Sequence, residues 1–244
     1  MATQTPPESL RFRQLDTIHR LADRIESIWR TELDLEPYEM PEDLGYVEGT
    51  LEGERITIEN CCFQTREFRK LHLELAQVGQ SLDILHCVMF PRSQFELPMF
   101  GADLVGGRGQ LGMAIADLSP IARSEQLPDY RAALDQLPEL TFSQPRTFPQ
   151  WGDIFSTDCL FVRPAGAEEE QQIIDRIGGF LTIHCRQARA AQPVPRDREE
   201  ELMAGQKRYC QQQLQNDKTR RVLEKAFGDE WAERYMTQVL FDVL

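Results

Sequence analysis

The sequence predicts an α+β fold, specifically a three-layer α/β/α sandwich in which helices cover both faces of a central antiparallel sheet. Three observations predict it. Apolar residues recur every three or four positions at the start of the chain, every two positions in its middle, and every three or four again from Glu168. Links between most of the period-two segments are short, which favours antiparallel pairing. For 244 residues without a linker-like segment, we expect one domain over 1–244.

The elements follow in chain order. Glu8 to Leu33 carries the pattern of an amphipathic helix. Seven segments then carry the strand pattern: Tyr46–Leu51, Arg55–Cys62, Phe68–Val78, Leu82–Phe90, Leu97–Val105, Leu111–Leu118 and Ile154–Val162. The first two flank Glu52-Gly53-Glu54, which is a hairpin signal.

The remaining segments are loops and helices. Pro120–Gln150 is expected to form loops with one short helix. Helices are predicted after it at Glu168–Leu181, Glu199–Gln215, Thr219–Phe227 and Glu230–Val243. The second and third of these are interrupted near Asn216, and Gly228 is a fitting helix end.

Charge and composition exclude several classes of protein. With 40 acidic and 27 basic residues, the net charge of −13 disfavours broad nucleic-acid binding and bulk-charge docking on an anionic membrane. The longest nearly apolar run, Ile84–Phe90, is too short for a membrane helix, and the N-terminus lacks the apolar region of a signal peptide. The six cysteines form no Cys-x-x-Cys pair, so we expect reduced thiols, no metal site and a cytoplasmic protein.

A glycine motif at 107–112 matches the dinucleotide fingerprint G-x-G-x-x-G. The fingerprint needs a helix N-terminus after it to hold the pyrophosphate. Met113–Asp117 instead continues the strand pattern. A glycine-rich hairpin is therefore the favoured interpretation, and a nicotinamide dehydrogenase is a remote one.

Polar side chains on the predicted strands are more informative. His72 and Glu74 share one strand face, opposite Leu71, Leu73 and Leu75. His86 and Asp103 occupy the next two strands amid apolar and small residues. Three adjacent strands could bring Glu74, His86 and Asp103 to one surface of the sheet. From spacing alone, a satisfied hydrogen-bond network or solvent exposure remains the alternative to a functional site.

Residues 207–225 contain six basic and two acidic residues in an otherwise acidic chain. Such a segment is either a solvated helix face or a docking patch for an acidic partner or anionic ligand.

Long blocks of the sequence resemble the ferredoxin-dependent bilin reductases. The resemblance runs from about Tyr38 to the C-terminus and is weak over 121–148 and 187–207. The blocks that carry it are Pro41–Gly49, Lys70–Ala76, Leu82–Pro91, Ile115–Pro120, Trp151–Ser156 and Asn216–Gly228.

The resemblance implies an α/β/α sandwich that holds a bilin between the sheet and the C-terminal helices, without flavin, metal or other prosthetic group. It implies reduction of biliverdin IXα to phycocyanobilin by four electrons and four protons, the D-ring vinyl group first and the A-ring second. Single electrons would come from a transiently bound [2Fe–2S] ferredoxin through bilin radicals, and the enzyme would be a monomer. The protein would supply placement and protons.

Site residues follow from the same resemblance. Glu74 matches the acid for the D-ring vinyl group, Asp103 and His86 match the central proton-donating pair, and His72 matches the residue that supports His86. The bilin-binding positions are Arg146 and Lys218 for the propionates, with Asn216, Asp217, Trp151 and Val222 nearby. Arg220, Arg221 and Lys225 are the candidates for ferredoxin docking.

His86 bears on the product, because family members that make other bilins often carry Asn at that position. The chain is thus expected in the four-electron branch. A two-electron sister reductase and a bilin carrier without turnover remain the alternatives.

Overall fold

The middle layer is an antiparallel sheet of eight strands in a computed structural model that describes residues 9–121, 127–148 and 152–242. The strands run in the order β1-β3-β4-β5-β6-β7-β8, and β2 also pairs with β3. Their bounds are β1 Glu36–Pro37, β2 Tyr46–Leu51, β3 Glu54–Gln64, β4 Phe68–Val78, β5 Leu82–Pro91, β6 Met99–Gly107, β7 Gln110–Ser119 and β8 Leu160–Val162.

Helices cover both faces of the sheet, as predicted. Their bounds are α1 Asp16–Glu32, α2 Glu42–Gly45, α3 Pro128–Leu134, α4 Ala167–Ala190, α5 Arg196–Gln213, α6 Asp217–Phe227 and α7 Asp229–Arg234, followed by a C-terminal π-helical turn at Tyr235–Leu240. One apolar cluster joins α1, α3 and α4 to the sheet face that carries Leu71, Leu73 and Leu75. A second cluster joins α5, α6, α7 and the π-helical turn to the opposite face. The predicted three-layer α+β class is confirmed.

Two tight hairpins are built by consecutive residues with positive φ. Glu52 and Gly53 have φ of 52° and 89° between β2 and β3, and Arg108 and Gly109 have φ of 52° and 80° between β6 and β7. Two such residues in a row define the turn whose twist matches that of the flanking strands. The glycine motif at 107–112 is therefore a hairpin, and a Cβ on Gly107 would lie only 2.1 Å from the carbonyl oxygen of Ser81.

The first helix begins later than its apolar pattern predicted. It starts at Asp16, preceded by a 3₁₀ turn at Leu10–Phe12, whereas the prediction began at Glu8, which lies outside the described residues. The side chain of Gln14 donates to the carbonyl oxygens of Ala76 and Ile84. The backbone of the next residue, Leu15, is not helical (φ −51°, ψ 139°), and the helix begins only after it.

The strand predicted at Ile154–Val162 is wrong over most of its length. Only Leu160–Val162 joins the sheet, and Gly152–Ile154 forms a 3₁₀ turn. The reason lies at Ser156, whose backbone N–H donates to the carboxylate of Asp117 at 2.8 Å. That N–H is then not free for a strand ladder.

Other boundaries also differ from the pattern: α4 extends to Ala190, beyond the predicted end at Leu181, and α5 begins at Arg196 and not at Glu199. The two-residue strand β1 was not predicted, and β6 begins at Met99 because Pro98 has no N–H for the ladder. The last predicted helix is divided into α7 and the π-helical turn and ends at Leu240.

Candidate active site

The predicted acid and histidine side chains lie in one row across the sheet. Glu74 on β4 is directly opposite His86 on β5, and His86 is directly opposite Asp103 on β6. On the other side of Glu74, the row continues to Asn60 on β3. Cα atoms paired in this way carry side chains on the same face. The antiparallel register therefore gathers four polar groups from four strands.

His86 and Asp103 form a close ion pair. The Nδ1 of His86 donates to Oδ1 of Asp103 at 2.5 Å. Burial lowers the pKa of His86, but the charge and hydrogen bond of Asp103, together with the charge of Glu74, outweigh burial and raise it overall. The side chain of Asp103 is 36% exposed, so a ligand can reach the pair from the Asp103 side.

Glu74 is buried under the C-terminal turn. It is 7% exposed, and its Oε2 is in a short hydrogen bond with the hydroxyl of Tyr235. Burial raises the pKa of Glu74, while the charge of His86, and a hydrogen bond from Tyr235 when its hydroxyl donates to this carboxyl, act against it. The outcome is a carboxyl that retains its proton to higher pH than a solvated one.

His72 lies beside this row, fully buried. Its Nε2 is 2.7 Å from Oδ1 of Asn60, and its ring meets the ring of His86 edge-on at a centroid distance of 5.8 Å. Burial, and then the positive charges of His86 and Lys70, lower the pKa of His72 well below its usual value. His72 is therefore a neutral imidazole next to a more basic one.

A cavity of about 680 Å³ opens beside the pair of His86 and Asp103. Its volume suits a ligand of a few hundred daltons or more. Val88, Met113, Ile115 and Phe161 supply apolar walls. Four of the residues predicted to bind the bilin line the same cavity: Arg146, Asn216, Asp217 and Lys218. An apolar cavity with two cations and a titratable pair fits a large conjugated molecule that carries acidic groups.

The two other predicted bilin-binding residues are not placed in this cavity. Val222 packs against the second apolar cluster and is not among the described lining residues. Trp151 lies outside the described residues.

The family of this chain follows from its similarity to known proteins. The sequence pattern of the ferredoxin-dependent bilin reductases matches residues 22–242. The chain belongs to this family. The phycocyanobilin:ferredoxin oxidoreductase of Trichodesmium erythraeum is 54% identical over 243 residues, 99% of this chain and 98% of the relative. The enzyme of the same name from Synechococcus elongatus is 60% identical over 229 residues, 93% of this chain and 92% of the relative.

A solved structure of the same class shares the fold of this bilin reductase. Tomato phytochromobilin synthase in complex with biliverdin superimposes with a TM-score of 0.74 at 16% identity. The match covers 91% of this chain and 81% of the tomato chain.

The cations predicted to dock ferredoxin are on the surface of this bilin reductase, each beside an acidic residue of the chain itself. Arg221 pairs with Asp217, Lys225 with Glu52, and Arg220 with Glu233. Exposed pairs of this kind contribute little to stability and exchange readily. The three cations and their three acidic partners together carry no net charge.

Sequence reasoning missed several polar residues of the bilin reductase site: Asn60, Lys70, Asp117, Tyr209 and Tyr235. Asn60 and Lys70 carried a signal, because each is a polar residue in a strand on the face that bears Glu74 or His72. Tyr235 carried no such signal. Its position fits the three-or-four-residue spacing of the apolar residues around it, as expected for an ordinary core residue of a helix.

Lys70 anchors the C-terminal turn over the site. Its side chain is fully buried, with Nζ 3.0 Å from Oδ2 of Asp242 and 2.8 Å from the carbonyl oxygen of Val239. Arg69 holds the same carboxylate at 2.7 Å. These contacts hold the C-terminal segment, which carries Tyr235, against the sheet. The same segment places the ring of Phe241 5.5 Å from the ring of His86.

Among the residues that the structure describes, no group of three or more His, Cys, Asp or Glu side chains could hold a metal ion. No helix in those ranges is long and apolar enough to cross a membrane. All six cysteines are free thiols in the structure.

Proposed function

We propose that this bilin reductase converts biliverdin IXα into phycocyanobilin, with four electrons from reduced ferredoxin and four protons. The observation that carries the proposal is the row of Glu74, His86 and Asp103 across β4, β5 and β6, beside the cavity. Three adjacent proton-donating groups suit a substrate that takes up several protons. The names of the relatives at 54% and 60% identity support the same product.

The protein's own part in this reaction is proton supply. Glu74 donates to the D-ring vinyl group, because burial raises the pKa of its carboxyl and so favours the protonated form. Asp103 and His86 serve the tetrapyrrole centre and the later A-ring step, as a pair that exchanges one proton over 2.5 Å. His72 positions His86 from the side as a neutral ring.

Binding is assigned to the rim of the cavity. Arg146 and Lys218 hold the two propionates through charge-assisted hydrogen bonds, with Asn216 and Asp217 next to Lys218. Electrons enter singly from a [2Fe–2S] ferredoxin. The bilin itself accepts them, so no prosthetic group is required. Docking uses the patch of Arg220, Arg221 and Lys225.

The test is an anaerobic absorption time course with biliverdin bound to the protein and reduced ferredoxin added. Passage through a transient species to phycocyanobilin, identified by chromatography, is the expected result. A reaction that stops at a two-electron product would assign the chain to a sister reductase. A bilin spectrum that stays unchanged with active ferredoxin would make the chain a carrier.

A further inference from the structure

The amide of Asn60 has a fixed orientation at the end of the polar row. Its Nδ2 donates to the backbone carbonyl of Leu44 at 2.8 Å. A carbonyl only accepts, so the amide nitrogen must face Leu44 and the amide oxygen must face the site. That oxygen lies 2.7 Å from Nε2 of His72 and 2.9 Å from the hydroxyl of Tyr235.

Tyr235 has one hydroxyl proton and two neighbours that can accept it. The first is Oδ1 of Asn60, and the second is Oε2 of Glu74. An amide oxygen never donates, so the contact with Asn60 is a hydrogen bond only when Tyr235 gives its proton there. The contact with Glu74 is then a hydrogen bond only when Glu74 is protonated and donates to the oxygen of Tyr235.

Other charged and titratable groups reach Glu74 from each packed element. His86 faces it from β5 and lowers its pKa, Asp103 on β6 raises it, and the C-terminal turn contributes only Tyr235. Burial is the largest influence and raises the pKa. The pKa of Glu74 also depends on whether the hydroxyl proton of Tyr235 points toward Glu74 or toward Asn60. A neutral residue can determine that direction.

We propose that Asn60 is a positioning residue that keeps Glu74 protonated by drawing the hydroxyl proton of Tyr235 toward its own amide oxygen. The proton order is then Glu74 to Tyr235 to Asn60, and the carboxyl proton remains on Glu74 until the substrate takes it. The same amide oxygen accepts from Nε2 of His72, which fixes the tautomer of that neutral ring. This inference rests on the proposed role of Glu74 as the acid for the vinyl group.

The decisive variants are Asn60→Leu, Tyr235→Phe and the double variant. Without the amide oxygen, Tyr235 donates to Glu74 and stabilises its carboxylate, so Asn60→Leu lowers the pKa of Glu74 by about one unit, a tenfold change in the protonated fraction at a given pH. Tyr235→Phe removes the only hydroxyl through which Asn60 acts. The double variant therefore has the same Glu74 pKa as Tyr235→Phe alone.

The measurement is ¹³C NMR titration of the substrate-free protein labelled at the glutamate carboxyl carbon, with Glu74→Gln to assign the signal. An unchanged Glu74 pKa in Asn60→Leu would overturn the proposal. A shift that persists in the double variant would also overturn it, because Asn60 would then act by charge or burial and not through Tyr235. Asn60→Asp keeps the acceptor and adds negative charge, so it is expected to raise the pKa of Glu74.

The titration needs neither substrate nor ferredoxin, which separates this inference from the proposed function. If the protein binds biliverdin without reducing it, the pKa difference between wild type and Asn60→Leu still stands. If reduction proceeds but the pKa does not move, Asn60 is a structural residue only. In the active enzyme, the alkaline limb of the pH dependence of vinyl reduction is expected to shift toward lower pH in Asn60→Leu.

Discussion

His86 donates from Nδ1 to Asp103 at 2.5 Å, across two strands whose register places the two residues directly opposite each other. The pair joins a buried imidazole to a carboxylate that is partly open to the cavity. A proton can therefore move between two groups that both line the cavity, one of them buried in the sheet and the other partly exposed.

The first prediction concerns this pair. Burial lowers the pKa of His86, and the charge and hydrogen bond of Asp103 together with the charge of Glu74 raise it overall. Asp103→Asn is therefore expected to lower the His86 pKa, measured by NMR titration of the imidazole. Because the folded-state pKa is raised, the pair stabilises the protein fully below pH 6.5, the unfolded-state value, and this stabilisation is lost as the pH rises through the folded pKa. A wild-type advantage in unfolding free energy that grew with pH would contradict this assignment.

The second prediction is that Glu74→Gln stops reduction at the vinyl step. Gln keeps the shape but has no proton to donate, and loss of a general acid costs about 10²–10⁴-fold in rate. Chromatography of the products under anaerobic turnover is the measurement. Biliverdin affinity serves as the control, because Gln keeps the size and polarity of Glu and the predicted loss lies in proton transfer. An undiminished yield of phycocyanobilin would remove Glu74 from the proton supply.

The third prediction orders three variants of the C-terminal anchor. Asp242→Ala leaves Lys70 buried without its carboxylate and is expected to cost about 3–5 kcal/mol of unfolding free energy. Lys70→Met removes the buried charge while Arg69 still pairs with Asp242, so its cost is smaller. The cost of Arg69→Met is smaller still, because Lys70 still pairs with the carboxylate of Asp242. Urea denaturation gives the three values, and the reverse order would mean that the ion pair does not hold the turn.

The fourth prediction is a pH dependence of stability due to Asp117. Burial raises its pKa to about 6 against the hydrogen bonds from Ser119 and Ser156, and the unfolded value is about 3.9. The folded protein then holds a proton that the unfolded chain releases, so this group lowers the free energy of unfolding by about 3 kcal/mol in all as the pH rises from about 3 to about 7. Asp117→Asn is expected to lack that slope.

Urea denaturation at several pH values measures this slope, and the exposed carboxyl variant Asp16→Asn is the control. Parallel curves for wild type and Asp117→Asn would mean that Asp117 is ionised throughout the range.

The fifth prediction tests the docking patch with a matched pair of variants. Arg221 is 61% exposed and pairs with the acid four residues before it, and Arg30 is 60% exposed in the same arrangement on α1. Arg221→Glu is expected to lower the rate of electron transfer from ferredoxin about tenfold at low salt and to weaken its salt dependence. Biliverdin affinity should stay the same.

Arg30→Glu, on a helix that packs against the opposite face of the sheet, is expected to leave the ferredoxin rate unchanged. Equal rates for both variants and the wild type would place docking elsewhere.

Local patterns in the sequence predicted most of the architecture. Six of the seven predicted strands, both tight hairpins and the division of the C-terminal region at Asn216 follow from periodicity and turn residues. The seventh strand failed because Ser156 donates its N–H to Asp117, a contact 39 positions away that no local pattern contains. The start of α1 also differs from the pattern beside a long-range contact, since the side chain of Gln14 donates to the carbonyl oxygen of Ala76, 62 positions away.

The sequence by itself determined which face of its own strand each of Glu74, His86 and Asp103 occupies, since the alternation of side chains along a strand is a local property. Only the tertiary structure decided that Glu74, His86 and Asp103 share one row, because a slip of one residue in either pairing would have sent a side chain to the opposite face. It also decided that Tyr235 meets Asn60 from 175 positions away. Contacts of that range depend on how whole layers pack, which periodicity within a segment does not encode.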